Sequence, residues 1–273
     1  LQNKAKRRWL LWAALIYNLG LLVVFKYLNF FIESFSTAFT FLGGNISSGS
    51  LNIVLPVGIS FYTFQALGYI IEVYRKNVTP ARDFISFSAF VSFFPLILAG
   101  PIERATHLLP QFYSKRTFEY SKAADGLRQI LWGLFKKIVI ADNCAEYANL
   151  IFNNNSDYSG VSLLLGAFLY TIQIYADFSG YSDMAIGVSR LLGFDIIRNF
   201  NNPYFSMNVA DFWRRWHIAL SSWFRDYLFT PLSIKIRSWG TTGVVFSFFV
   251  TFLLCGLWHG ANYTFIVWGG LHG

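Results

Sequence analysis

Val244-Val245-Phe246-Ser247-Phe248-Phe249-Val250-Thr251-Phe252-Leu253-Leu254-Cys255-Gly256-Leu257-Trp258 carries no charged side chain. Begun at Thr242, the stretch approaches the ~20 apolar residues with which a helix crosses a bilayer. Val161 to Ala176 is a second uncharged run. The whole chain follows the same pattern: 55% of its residues are hydrophobic and 13% charged, against about 25% charged in a soluble domain. Backbone groups inside hydrocarbon must be bonded within the protein, and helices do this segment by segment. The expected fold class is therefore all-α, a polytopic transmembrane helical bundle.

Working outward from that run, apolar spans fall at Trp9 to Leu28, Leu51 to Tyr74, Phe84 to Gly100, Leu127 to Phe152, Val161 to Leu192 and Thr242 to Trp258, with another apolar segment beginning near Tyr263. Val209 to Pro231 is amphipathic, aromatic and charged, which suits an interfacial segment. Aromatic residues make up 20% of the chain, and Trp and Tyr favour the membrane interface.

Charge sets the orientation. Arg7 and Arg8 place the N-terminus of this segment in the cytoplasm. Two expected outer loops, Asn29 to Ser50 and Asn153 to Gly160, contain no Lys or Arg, whereas Arg75, Lys76, Arg82, Arg190 and Arg198 follow the returning spans. Phe84 to Gly100 has basic flanks on both sides and contains Pro95 and Gly100-Pro101, so a re-entrant or broken segment is expected there. The sequence reads as one membrane-embedded domain over 1–273, a piece of a longer protein at both ends.

A net charge of +8 would suit nucleic acid if it were clustered. It is spread among short connections, which excludes nucleic acid as a partner and leaves the lipid bilayer. Cys144 and Cys255 both lie in apolar stretches, and no Cys/His spacing resembles a metal site. No serine-nucleophile elbow, phosphate loop or dinucleotide fingerprint is present.

His259 is the leading chemical candidate, at the end of the long apolar run in Gly256-Leu257-Trp258-His259-Gly260-Ala261-Asn262. A neutral imidazole can take a proton from a hydroxyl and return it to a leaving group, and ionisable groups in membrane segments tend to line functional cavities. On these residues alone a structural histidine is an equal alternative. His259 also needs a break or tilt, because a straight helix from Thr241 would carry it toward the far leaflet. His217, in Asp211-Phe212-Trp213-Arg214-Arg215-Trp216-His217, could orient His259 or bind substrate, or could be an interfacial polar residue. Arg214, Arg215 and Arg225 suit anionic donors or head groups, or ordinary cytoplasmic anchoring. Asp177 and Asp183 are expected as internal glue, Glu72 and Asp142 as satisfied span-end groups, and His107 as a loop histidine. His272 is open to either reading.

Several motifs together resemble the membrane-bound O-acyltransferase (MBOAT) family, and within it the alginate O-acetyltransferase group. They are Leu55-Pro56-Val57-Gly58-Ile59-Ser60-Phe61-Tyr62-Thr63-Phe64-Gln65, then Phe93-Phe94-Pro95 with Ala99-Gly100-Pro101-Ile102, then the stretch ending at His217, Trp223-Phe224-Arg225-Asp226-Tyr227-Leu228, and Gly256 to Ala261. The resemblance implies His259 as the essential histidine and His217 as a second functional position. Around them Asp211, Trp213, Arg214, Arg215, Trp216, Arg225, Asp226, Trp258 and Asn262 are expected as substrate-binding or supporting residues. It implies no bound cofactor or metal, acetyl-CoA or another acyl thioester as cytoplasmic donor, an extracytoplasmic acetyltransferase partner protein, a polysaccharide acceptor, and a bacterial inner-membrane location. Ser233 to Gly240 departs from the Gly-Gly-Asn-Arg stretch common in that group, which separates the identity of the polymer from acyl transfer itself. D-alanyl transfer to teichoic acid is the nearest rival. A proton-coupled transporter is the rival from another class, and no inverted repeat supports it.

Overall fold

The apolar runs fold as helices, and the computed structural model describes residues 3–44 and 51–273 with no β-strand among them. Among the described residues three helical stretches are long and apolar enough to cross a membrane: Lys4–Phe41, Gly160–Leu191 and Arg237–His259. The chain is a multi-pass membrane protein. It divides into two compact units, the first made of Leu1–Pro80 with Ser222–Gly273 and the second of Ala81–Ser221.

The first unit opens with α1 (Lys4–Leu22), capped by the Asn3 side chain. It passes through a π-helical turn, Val23–Tyr27, into α2 (Leu28–Phe41). This 38-residue rod corrects the expected outer loop from Asn29. The lack of basic residues there reflects an apolar, aromatic helix that lacks glycine and proline until Gly43. The rest of that expected loop, residues 45–50, lies outside the described residues. The expected span from Leu51 is also shorter than read. Helix α3 begins only at Ile59, behind Pro56 and a left-handed Gly58 with φ 74°, and ends at Arg75, with α1 packed along it.

In the second unit the segment with basic flanks is broken, as Pro95 foretold. Helix α4 (Phe84–Val91) stops, Phe93 is extended, and α5 (Phe94–Ile97) restarts with Pro95 in its first turn, where proline lacks nothing the helix needs. Helix α6 (Ala105–Tyr113) follows. The next span starts earlier than hydropathy indicated: α7 (Tyr120–Leu134) runs through a second π-helical stretch, Phe135–Ala141, into α8 (Asp142–Asn153).

Helix α9 (Gly160–Leu191) packs along α7 and α8. Its carboxylates are ion-paired. Lys136 bridges to Asp183, and Lys137 to Asp177 at 2.7 Å and to Asp142 at 2.7 Å. Gln129 donates to Asp183 at 2.6 Å, and Arg190 binds Asp125. Asp177 and Asp183 thus act as glue, with lysine and glutamine partners. Glu103 is buried and accepts from the Ile197 backbone N–H and from His107 at 3.0 Å. His107 lies in the first turn of α6 rather than in the loop expected for it.

The unit closes with α10 (Val209–Arg215), a break at Trp216–His217 and the first residues of α11 (Ile218–Phe224), the helix in which the division between the units falls, after Ser221. Back in the first unit, a π-helical Arg225–Phe229 leads into α12 (Thr230–Lys235). Helices α13 (Gly240–His259) and α14 (Tyr263–His272) then form a tightly packed hairpin.

Candidate active site

Helix α13 runs unbroken to His259. The chain leaves it at Gly260 in an extended conformation, φ −168° and ψ 155°. The break expected before this histidine is absent: the helix is continuous from Gly240 to His259, and the chain turns extended only after it. The His259 side chain is exposed on its unit. It is walled by aromatic rings, with centroids 5.0 Å from Trp258, 5.2 Å from Trp268 and 6.4 Å from Phe265. Trp268 touches His272 as well, at 4.6 Å, so one indole lies between the two histidines of the hairpin.

What holds the end of α13 comes from far away in sequence. The last carbonyls of a helix have no partner within it. Tyr27 donates its hydroxyl to the Leu257 carbonyl at 2.7 Å, and the Lys26 ammonium donates to the Trp258 carbonyl and to Ser60 Oγ at 3.1 Å. Lys26 also lies 5.5 Å from the Trp258 ring centroid. Tyr27 is buried in a cluster with Leu22 and Ile59, against which Leu257 and Ala261 pack. Sequence reading missed this pair, although Lys26 is the one charged residue between Arg8 and Glu33. The carbonyls it meets give no sequence signal.

Asn262 accepts from the Thr264 backbone N–H at 2.9 Å and so caps α14. Arg225 pairs with its neighbour Asp226 at 2.8 Å, and the Asp226 carbonyl accepts from Arg75 at 3.4 Å. Trp223 stacks on Phe64 at 4.0 Å and donates to the Phe64 carbonyl at 3.1 Å, while Phe64 also stacks on Trp258 at 5.4 Å. The motif around Phe64 thus supports the motif around His259 through aromatic contact inside one unit.

The other histidine belongs to the second unit. His217 is 3% exposed and adopts a left-handed backbone, φ 44°, a conformation uncommon for residues other than glycine. The break it occupies is stitched by a buried asparagine. The Asn199 carbonyl accepts from Ile218 N–H at 2.8 Å, and its side chain bonds Ala219 N–H and Ser182 Oγ, both at 3.3 Å. The His217 ring packs on Phe178 at 4.6 Å. Trp216 packs among Phe200, Phe212 and Tyr204, and Trp213 lies edge-on to Phe212. Arg215 binds Asp211 at 3.0 Å and holds its carboxyl below the usual carboxylate range. Arg214 is exposed.

The geometry supplies an accessible imidazole on a braced helix end and a second histidine in an aromatic nest. Among the described residues no group of three or more His, Cys, Asp and Glu could hold a metal. The chain is 44% identical over 276 residues to the probable alginate O-acetylase AlgI of Pseudomonas aeruginosa, an alignment that covers 100% of this chain and 51% of that protein. It is 38% identical over 298 residues to the peptidoglycan O-acetyltransferase of Helicobacter pylori, covering 99% of this chain and 55% of the relative. To the teichoic acid D-alanyltransferase of Bacillus subtilis it is 32% identical over 230 residues, 81% of this chain and 58% of the relative. The chain spans about half the length of the curated relatives it matches. The model of the MBOAT family matches residues 81–273, the stretch that contains both histidine motifs and two of the three membrane-length helices: the chain belongs to the membrane-bound O-acyltransferase family.

Proposed function

We propose that this chain carries the acyl-transfer centre of a membrane O-acetyltransferase that modifies an extracytoplasmic polysaccharide. The donor in this reading is a cytoplasmic thioester, acetyl-CoA in the simplest case. The acetyl group leaves the membrane through a partner acetyltransferase on the outer side, and the enzyme sits in a bacterial inner membrane with Arg7 and Arg8 facing the cytoplasm. His259 is the general base. A ring nitrogen takes the proton of an acceptor hydroxyl while that oxygen attacks the thioester carbonyl. The C–S bond then breaks, and the departing thiolate recovers the proton from the imidazolium.

The observation that carries this reading is the setting of His259. Its ring is accessible at the end of a membrane-length helix, three aromatic rings flank it, and no hydrogen bond among the described residues occupies its nitrogens. A structural histidine bonded to a neighbouring carbonyl, the alternative open from sequence, has no such bond here. His217, Asp211, Trp213, Arg214, Arg215, Trp216, Arg225, Asp226, Trp258 and Asn262 are proposed as supporting groups. The acetyl reading is favoured over D-alanyl transfer by the higher identity to the two acetyl-transfer relatives.

The test is mass analysis of surface polymers from cells making the whole natural protein or its His259→Ala variant at equal membrane yield. Acetyl ester should be present with the first and absent with the second. Acetyl ester retained by His259→Ala removes the catalytic assignment, and D-alanyl ester in place of acetyl transfers the protein to the rival branch.

A further inference from the structure

Lys26 is a charge placed inside a membrane-length apolar helix, where an ionisable side chain is costly and tends to be functional. Among the described residues no carboxylate pairs with it. It is spent on a backbone carbonyl, that of Trp258, and on Ser60 Oγ. A neutral side chain such as that of the adjacent Tyr27, which holds the Leu257 carbonyl, would cap a helix without that cost. Two neighbouring residues of an ordinary α-helix point about 100° apart. Here Lys26 and Tyr27 reach consecutive carbonyls of one partner, and they do so from a π-helical turn, Val23–Tyr27. Such turns are rare and recur at functional sites. The carbonyl that Lys26 holds belongs to the peptide unit that supplies the backbone nitrogen of His259.

We propose that Lys26 is a positioning residue for His259. With Tyr27 it clamps the last turn of α13, so that the imidazole keeps one direction although the chain is extended immediately after it. The ammonium also lies at the negative end of the α13 dipole, where a cation is favoured. The inference rests on the reading of His259 as the base, and it adds that the π-helical turn exists to aim that base.

The experiment measures acetyl transfer from labelled acetyl-CoA by the whole natural protein in membranes, per mole of folded enzyme, for Lys26→Met, Lys26→Arg, Tyr27→Phe and His259→Ala. A base displaced by about 1 Å loses on the order of 10²-fold in rate. Lys26→Met is therefore expected to lower kcat by about that factor with KM for acetyl-CoA little changed, the pattern of an interaction that matters in the transition state. Lys26→Arg, which restores a charged donor, should recover at least part of the loss, and Tyr27→Phe should lower kcat less than Lys26→Met.

Wild-type kcat in Lys26→Met overturns the proposal, as does a loss confined to protein yield. If Lys26→Met does not accumulate, Tyr27→Phe decides, since it removes a single oxygen from the other half of the clamp: an unchanged kcat rejects the clamp, and a lowered kcat supports it. His259→Ala separates the two levels. Activity in that variant defeats the catalytic reading itself, whereas an inactive His259→Ala beside a fully active Lys26→Met defeats the clamp alone.

Discussion

Gly256 on α13 and Gly269 on α14 meet backbone to backbone: a Cβ on Gly256 would lie 3.0 Å from the Gly269 Cα and would run into the Phe265 carbonyl oxygen. Small residues at such a crossing let two membrane helices approach until their backbones touch. The same contact brings Phe265 and Trp268 against His259.

Gly256→Ala should therefore weaken the hairpin and displace the aromatic walls together. Overpacking of this kind costs about 1–3 kcal/mol. The expected outcome is a lower Tm of the detergent-solubilised protein, read by heating followed by size-exclusion chromatography. A wild-type Tm would mean that the hairpin can open at no cost.

The left-handed backbone of His217 separates its fold role from any chemical one. Asparagine tolerates φ 44° better than β-branched residues do. His217→Asn should keep normal membrane yield and lose acetyl transfer, while His217→Val should also lose about 1–3 kcal/mol of stability from the forced conformation. Yield, Tm and ester content measured on both variants check this. Normal ester content in His217→Asn would remove His217 from the functional site.

Lys136 and Asp183 form a pair whose side chains are 12% and 17% exposed. Removing one partner of a buried pair strands a charge, at about 3–5 kcal/mol. Asp183→Leu alone should thus be severely destabilised, and adding Lys136→Met to it should recover most of the loss. A double-mutant cycle on Tm gives the coupling, and additive losses would contradict the pairing.

A pH effect follows from His107. Its hydrogen bond to Glu103 raises its pKa above the ordinary imidazole value; partial burial opposes this, and the charges of Glu103 and Asp195 add to it. A raised native pKa means that the folded state holds the proton more tightly. The stabilisation is full below the unfolded value of about 6.5 and fades as pH rises through the native value. Tm should fall across that interval, and His107→Gln should flatten the fall.

Legibility from sequence followed physical range. Helices α9 and α13 were read to within about two residues at either end, because dense apolar runs end there at glycines, charges or polar turns. Leu51–Gly58 was misread because hydropathy does not register a backbone that Pro56 and a left-handed Gly58 keep from coiling. Asn29–Phe41 reads as a loop only by its lack of cations, a feature an apolar helix shares. His259 was visible as a polar residue closing an apolar run. Its brace was not, because Lys26 and the Trp258 carbonyl are 232 positions apart and a carbonyl belongs to every residue alike. The same holds for Asn199, which stitches the His217 break through bonds to Ile218 and Ala219, the latter 20 positions away.

The wide turn at Val23–Tyr27 also sets a rule for how the first rod can change. A π-helical turn holds one residue more than an α-helical one, so the segments before and after it are out of phase by about 100°. Shortening Val23–Val24 by one residue would regularise the coil and swing every earlier side chain around the axis, α3-facing ones included. Substitutions along α1 leave the phase of α2 untouched, whereas a single deletion rewrites one end relative to the other. The number of residues between α1 and Lys26 thus fixes which α1 side chains can face α3 while Lys26 and Tyr27 keep their carbonyls.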